Sequence, residues 1–250
     1  MKIIRIKIKK MTKRIAVAGK GGVGKTTVVC GIVEYLISGN VSPVLVIDAD
    51  PNSNLAENLG VSYDTTIADI RDEVRSEKIP QSMSKSEYIN IRLQESIVEQ
   101  TGFDLLVMGR PEGRECYCYV NELLRNFLTS LSKNYKYVII DTEAGMEHLS
   151  RRTIDNLDNL FIVSIPTKVS LDTAKKILAM IPELKLKIGS TEILVNIVKE
   201  NFDKIDLPIA GIIHRDEQIE TFSQQGLPLL KNLANTTFFK ELSSILLSKI

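Results

Sequence analysis

The chain has 250 residues, 44% hydrophobic and 25% charged, enough for one α/β domain with a substantial core. Lys and Arg number 32 against 31 Asp and Glu, so a basic surface covering most of the molecule is excluded, although a local basic patch is not. Three cysteines argue against a secreted disulfide framework, and no apolar run is long enough to span a bilayer, so the reducing cytoplasm is the expected compartment.

The first ten residues, Met1 to Lys10, are basic and alternate with isoleucine. They lack the continuous apolar core and small-residue cleavage site of a secretory signal. Ile4, Ile6 and Ile8 would share one face of an edge strand. We favour the other reading, an extension of residues 1–10 loosely attached to a single domain of residues 11–250, and expect no nucleic-acid or membrane role for so short a tail.

Ile15-Ala16-Val17-Ala18 then reads as a buried strand, followed by Gly19-Lys20-Gly21-Gly22-Val23-Gly24-Lys25-Thr26-Thr27. Gly19, four residues, and Gly24-Lys25-Thr26 make a P-loop pattern. Several backbone N–H groups must point inward at a polyphosphate, which only a tight glycine-rich turn permits. The helix that follows adds its positive end, with Val28, Val29, Ile32, Val33, Leu36 and Ile37 at helical spacing and Gly39-Asn40 as its stop. Lys25 would contact the β- and γ-phosphates, and the Thr26 hydroxyl would take a Mg²⁺ position. A second lysine, Lys20, follows the first glycine. It is either a solvated loop residue or a group reaching a partner subunit's phosphates, as an arginine finger does. Lys20 to Thr27 resembles the deviant Walker A loop of the MinD/ParA/nitrogenase-iron-protein class of dimeric ATPases. That resemblance implies ATP and ADP as ligands, nucleotide contacts from Lys20 through Thr27, a nucleotide-dependent homodimer, and a catalytic role for Lys20 in trans.

Further along, Val44-Leu45-Val46-Ile47-Asp48 reads as a second strand ending in acid. Asp48-Ala49-Asp50-Pro51-Asn52 resembles the first switch segment of the same class, which implies that Asp50 orients or deprotonates the attacking water while Asp48 sits nearer the magnesium. Residues 75–102 carry the weakest pattern, and Tyr88-Ile89-Asn90-Ile91-Arg92 alternates like an edge strand. Leu105–Met108 is a further strand. Val138-Ile139-Ile140-Asp141 looks like a Walker B strand, with Asp141 on Mg²⁺ through water. Gly145 offers a hinge for a loop sensing the γ-phosphate, and Glu143 stands where many family members have proline. Leu160–Val163, Ile193–Asn196 and Ile209–Ile213 complete the strands, and Asn121–Leu131, Leu171–Ile181 and Thr237–Leu247 read as helices. The alternation predicts an α/β, doubly wound, mainly parallel sheet flanked by helices, with ligands at the C-terminal strand ends. The family resemblance implies that Asn196 reads adenine and that His214-Arg215-Asp216 occupies a later base-contacting loop. Read alone, such residues are ordinary turn residues.

Between the fourth of these strands and its helix lies Gly109-Arg110-Pro111-Glu112-Gly113-Arg114-Glu115-Cys116-Tyr117-Cys118-Tyr119-Val120-Asn121. Thiols at a helix N-terminus, near Arg110 and Arg114, have lowered pKa values and ligate soft metals well. Two thiolates do not complete a tetrahedral site, so the motif needs a cap, a partner, or both; two copies across a dimer axis would supply four. Alone, a Cys-x-Cys is more often a pair of buried apolar residues, and Cys30 reads as core. Gly-Arg-Pro-Glu-Gly, Cys-Tyr-Cys-Tyr-Val-Asn and Asp141-Thr142-Glu143-Ala144-Gly145-Met146-Glu147-His148 together resemble the CooC-type ATPases, from Met11 onward. That resemblance implies Ni²⁺ or Zn²⁺ on Cys116 and Cys118 of two subunits and a client nickel enzyme, carbon monoxide dehydrogenase or acetyl-CoA synthase. Two rivals stand beside it. A partitioning ATPase of the ParA/MinD kind leaves the cysteines idle. An iron–sulfur reductase draws its cluster cysteines from well-separated positions.

Overall fold

The computed structural model describes residues 12–52, 54–76, 78–110, 118–143, 156–184, 187–199 and 206–250, with backbone alone for 118–123 and 184. Its frame is an eight-stranded sheet in the order β3-β4-β2-β5-β1-β6-β7-β8. The strands are β1 (Lys13–Gly19), β2 (Val44–Ala49), β3 (Val98–Gln100), β4 (Phe103–Val107), β5 (Tyr137–Thr142), β6 (Asn156–Ser164), β7 (Lys187–Val198) and β8 (Ile209–His214). All neighbours run parallel except β3, which pairs antiparallel with β4. Central strands of a parallel sheet are covered on both faces and so read as unbroken apolar runs. Every residue of β2 and β5 is buried, which is why these runs were legible as strands.

Alternation divides each strand between two cores. Ile15 and Val17 point to one face, with Val44, Val46, Ile139 and Phe161. There they meet α1 (Lys25–Ser38), α2 (Asn54–Leu59) and the C-terminal α8 (Thr237–Leu246). Ala16, Ala18, Leu45, Ile47 and Ile140 point the other way. They pack on α3 (Ile67–Arg75), α4 (Lys85–Glu95), α5 (Cys118–Ser132) and α6 (Lys168–Met180). Each fully buried Ile, Leu or Val contributes about 1.5–3 kcal/mol relative to exposure, so a one-residue slip of β1 would be prohibitive. The remaining helix, α7 (Glu217–Gln224), follows β8.

The edge strand expected at Tyr88–Arg92 is a correction: those residues lie inside α4. Ser84 and Glu87 form a capping box, with each side chain accepting the other's backbone N–H. Ile89 and Leu93, four apart, bury one face, and Tyr88 and Arg92 bond Glu73 of α3 from the same helix. Five alternating residues are too few to separate period 2 from period 3.6 once caps are overlooked. The edge is formed instead by the three-residue β3.

Two features place the site. The connection from β1 runs toward β2 on one side, whereas that from β6 runs toward β7 on the other. The crevice at the C-terminal end of β1 is therefore a topological switch point. At the far side, β7 carries a bulge: Val195 pairs with Ile212 but Val198 pairs with His214, leaving one extra residue on β7. Ile197 within it has φ 58°, a left-handed conformation that costs a β-branched residue about 1–3 kcal/mol.

Candidate functional site

β1 delivers the glycine-rich loop to the switch point. Gly19 has φ 148°, and a Cβ there would lie 2.3 Å from the Val163 carbonyl oxygen of β6, so no side chain fits. Val23 is buried and anchors the loop, while Lys20, Gly21 and Gly22 are exposed. Gly24, at φ 90°, is the N-cap of α1 and provides no side-chain cap to the helix. The first-turn N–H groups are left for a ligand's acceptors, an arrangement that suits an anion. Lys25 is only 7% exposed. Its Nζ donates to the Lys20 carbonyl at 3.4 Å, which holds a buried cation beneath the loop. Thr26 and Thr27 follow in the first turn of α1.

The acids converge from neighbouring strands. Asp48 and Asp141 are register partners across β2 and β5, and Val17 of β1 faces Asp141 on the other side. Asp48 is fully buried, and its carboxylate accepts the N–H groups of Asp50 and Leu55, both at 3.2 Å. The Asp48 side chain thus holds the segment after β2 and the start of α2, as a strand-end aspartate that caps the next helix does. Asp50 in turn accepts the backbone and side-chain N–H groups of Asn52 at 2.9 and 3.0 Å. The Thr26 hydroxyl donates to Asp141 Oδ2 at 2.7 Å. Thr142, also not singled out beforehand, donates its hydroxyl to the Val17 carbonyl at 2.9 Å and ties β5 to β1 beneath the loop.

Burial pushes the Asp48 carboxyl up to about 7, and the nearby Asp141 charge adds to the rise. Burial likewise pushes Asp141 up to about 6, against the Thr26 hydrogen bond and the Lys25 charge, which pull it down. Two buried acids side by side resist ionising together unless a cation joins them. Among the described residues, Asp141 Oδ1 is buried without a hydrogen-bond partner. A hard cation with oxygen ligands suits this donor set of Thr26, Asp48 and Asp141, and a magnesium ion fits it.

Asn196 is drawn to the same place from β7. Its carboxamide is buried, and Nδ2 donates to the Val23 carbonyl at 3.0 Å. His214, Arg215 and Asp216 lie beyond β8 and are engaged otherwise. The His214 N–H and Nδ1 each meet the Glu241 carboxylate at 2.8 Å. Arg215 pairs with Glu220 through two hydrogen bonds. Asp216 accepts the N–H of Gln218 at 2.9 Å and of Phe238 at 3.0 Å, capping α7 and holding the start of α8.

Cys116 lies outside the described residues, as do Gly145 and the 144–155 segment, and Cys118 is placed only as the first residue of α5. Among the described residues no group of three or more His, Cys, Asp or Glu is arranged to hold a metal, and no helix is long and apolar enough to cross a membrane. Cys30 is buried in α1, where burial pushes its thiol up.

Comparison with known proteins agrees with this geometry. A family profile described as an AAA domain matches residues 12–194. An uncharacterized ATP-binding protein of Methanocaldococcus jannaschii is 40% identical, over 92% of this chain and 96% of its own. The carbon monoxide dehydrogenase accessory protein CooC of Rhodospirillum rubrum is 33% identical, over 86% of this chain and 88% of its own. Among solved structures, a ParA family ATPase from Chlorobium tepidum superposes with a TM-score of 0.71 at 22% identity, over 95% of this chain and 98% of that one, a likeness of fold.

Proposed function

The chain belongs to this AAA domain family as an ATP-binding protein with the ParA/MinD-like fold, and from that premise we propose that it is an ATP-driven metal-handling ATPase. It works as a homodimer in the cytoplasm, carries Ni²⁺ or Zn²⁺ on Cys116 and Cys118 of both copies, and assists a nickel enzyme of the carbon monoxide dehydrogenase or acetyl-CoA synthase type. One connection supports this reading above the others. The Met108 N–H donates to the Asp48 carbonyl at 2.8 Å. Asp48 is the register partner of Asp141, which bonds Thr26 after the phosphate loop, and Met108 lies eight positions before Cys116, where the Cys-x-Cys stretch begins. In this reading the Met108–Asp48 bond, which continues the β2–β4 ladder, is the route by which a change around Asp48 on nucleotide turnover reaches the base of the thiol segment. The relation to the carbon monoxide dehydrogenase accessory protein supplies the class of client.

The chemistry follows from the side chains. Lys25, the first-turn N–H groups of α1 and the glycine-rich loop bind the β- and γ-phosphates. Lys20 of each copy neutralises charge on the other's nucleotide. Asp50 holds the attacking water, with its carboxylate as the acceptor for the water's proton. Thr26, Asp48 and Asp141 would hold magnesium, which offsets charge on the transferred phosphoryl group. We assign the base contact to Asn196; His214, Arg215 and Asp216, engaged by Glu241, Glu220 and helix N–H groups, are assigned none. Loss of the γ-phosphate releases the segment that begins at Asp48, and the thiols change their mutual placement.

Equilibrium dialysis of Ni²⁺ and Zn²⁺ coupled to size-exclusion mass tests the reading on wild type and on Cys116→Ser/Cys118→Ser. The expected result is one metal per dimer, lost in the variant while ATP still binds. Absence of thiol-dependent metal in every nucleotide state would leave a partitioning-type switch as the better account.

A further inference from the structure

The bulge in β7 has a local purpose that the sequence did not disclose. A regular strand would continue its pairing with β8 through residues 196 and 197, yet the register shifts there by one residue and Ile197 takes φ 58°. Such a conformation persists in a β-branched residue only where its surroundings over-determine it. The bulge re-aims the chain just where Asn196, 4% exposed, directs its carboxamide away from the sheet and into the phosphate loop.

The contact is specific on both sides. Asn196 Nδ2 donates to the Val23 carbonyl at 3.0 Å across 173 residues of sequence. A Cβ built on Gly24 would lie 2.4 Å from that same nitrogen, so the loop's last glycine is the space the asparagine occupies. In a trans peptide the carbonyl and the following N–H point in opposite directions. Holding the Val23 carbonyl toward β7 therefore turns the Gly24 N–H away from β7, at the point where the loop becomes α1.

We propose that Asn196 is a positioning residue of the phosphate loop: through the Val23 carbonyl it presets the Val23–Gly24 peptide for the triphosphate before any base is bound. The proposal rests on the ATPase reading above and adds to the base contact expected of Asn196. Val23 engages one amide hydrogen, and among the described residues none engages the other. The β7 bulge is the support that keeps this carboxamide in place.

Binding of two probes separates the roles: MgATP, and the magnesium complex of ribose 5-triphosphate, which lacks the base. Asn196→Leu keeps nearly the same size, stays neutral and removes the donor to the Val23 carbonyl. Asn196→Ser, smaller and neutral, serves if the first variant lacks the wild-type circular dichroism. Loss of the Val23 contact should weaken the base-less triphosphate by roughly five- to tenfold, and MgATP by at least that factor because the base contact goes with it. In hydrolysis the loss should show as a rise in KM for ATP that follows the loss of affinity in the binding experiment. ATP weakened alone, or neither ligand weakened, overturns the positioning role and leaves the ATPase reading intact. A wild type that binds ATP but has no measurable affinity for the base-less triphosphate overturns it too. A wild type that binds neither ligand overturns the ATPase reading itself.

Discussion

The tips of β2 and β5 and the tip of β8 both present acids and bases at the C-terminal edge of one sheet, but they differ in what those groups have left to give. At β2 and β5, Asp141 retains a buried oxygen without a partner among the described residues, Lys25 makes a long contact to a loop carbonyl, and α1 begins without a side-chain cap. At β8, His214, Arg215 and Asp216 are engaged by Glu241, Glu220 and the N–H groups of two helices. The first tip holds unsatisfied chemistry in a low-dielectric setting, which is what a ligand can complete. The second holds the α7–α8 corner together. Polar residues at strand ends mark a site by their unused valence, and their mere presence there is common to both.

The largest test of this contrast is Lys25→Ala. Removing the buried cation that faces the phosphates should weaken ATP by about 10²–10³-fold in calorimetry. An affinity within tenfold of wild type would mean that the β1–β2–β5 tip is not where the triphosphate sits.

Acidity provides the next. The folded, nucleotide-free chain holds protons on Asp48 and Asp141 up to about pH 7 and about pH 6. The unfolded chain releases the same protons near the ordinary carboxylate value of about 4. Between those limits the folded state binds more protons, so this pair costs stability as pH rises, and the cost is fully present above about pH 7. Magnesium competes with those protons. Its affinity should climb from pH 5 to 7.5 by up to about tenfold per unit for each proton displaced, with proton release visible as a buffer-dependent heat. A flat profile across that range would break the assignment of the pair as the cation site.

The smallest effect belongs to the other tip. Asp216→Ala removes the acceptor of two helix-end N–H groups and should lower stability by about 1–2 kcal/mol in urea unfolding. If ATP affinity fell instead while stability held, the 214–216 loop would be a base-contacting site and the contrast between the tips would soften.

How far the chain could be read follows from the range of the interactions involved. β2 and β5 announce themselves because both faces of a central parallel strand are covered, and the phosphate loop because its pattern is contiguous. α3 and α4 were hidden by short, polar stretches whose real signals were caps, Thr66 with Asp69 and Ser84 with Glu87, rather than periodicity. The partners that decide the state of each polar residue are distant: Asn196 meets Val23 across 173 positions and His214 meets Glu241 across 27. No local pattern encodes such pairs, so the engagement of the β8 residues by Glu241 and Glu220 was not legible in the sequence. The thiols of Cys116 and Cys118 remain a sequence-level proposal, since their side chains fall outside the described residues.

Thr66, Ser84, Thr167, Asp216 and Thr236 each cap a helix with their own side chain, whereas α1 opens on Gly24 and has none. The nucleotide is therefore the missing piece of the fold as well as its cargo: whatever binds there closes the end of the central helix. By mass action, every tenfold excess of ligand over its dissociation constant adds about 1.4 kcal/mol against unfolding. Resistance to proteases should therefore rise with the fraction of molecules that hold nucleotide.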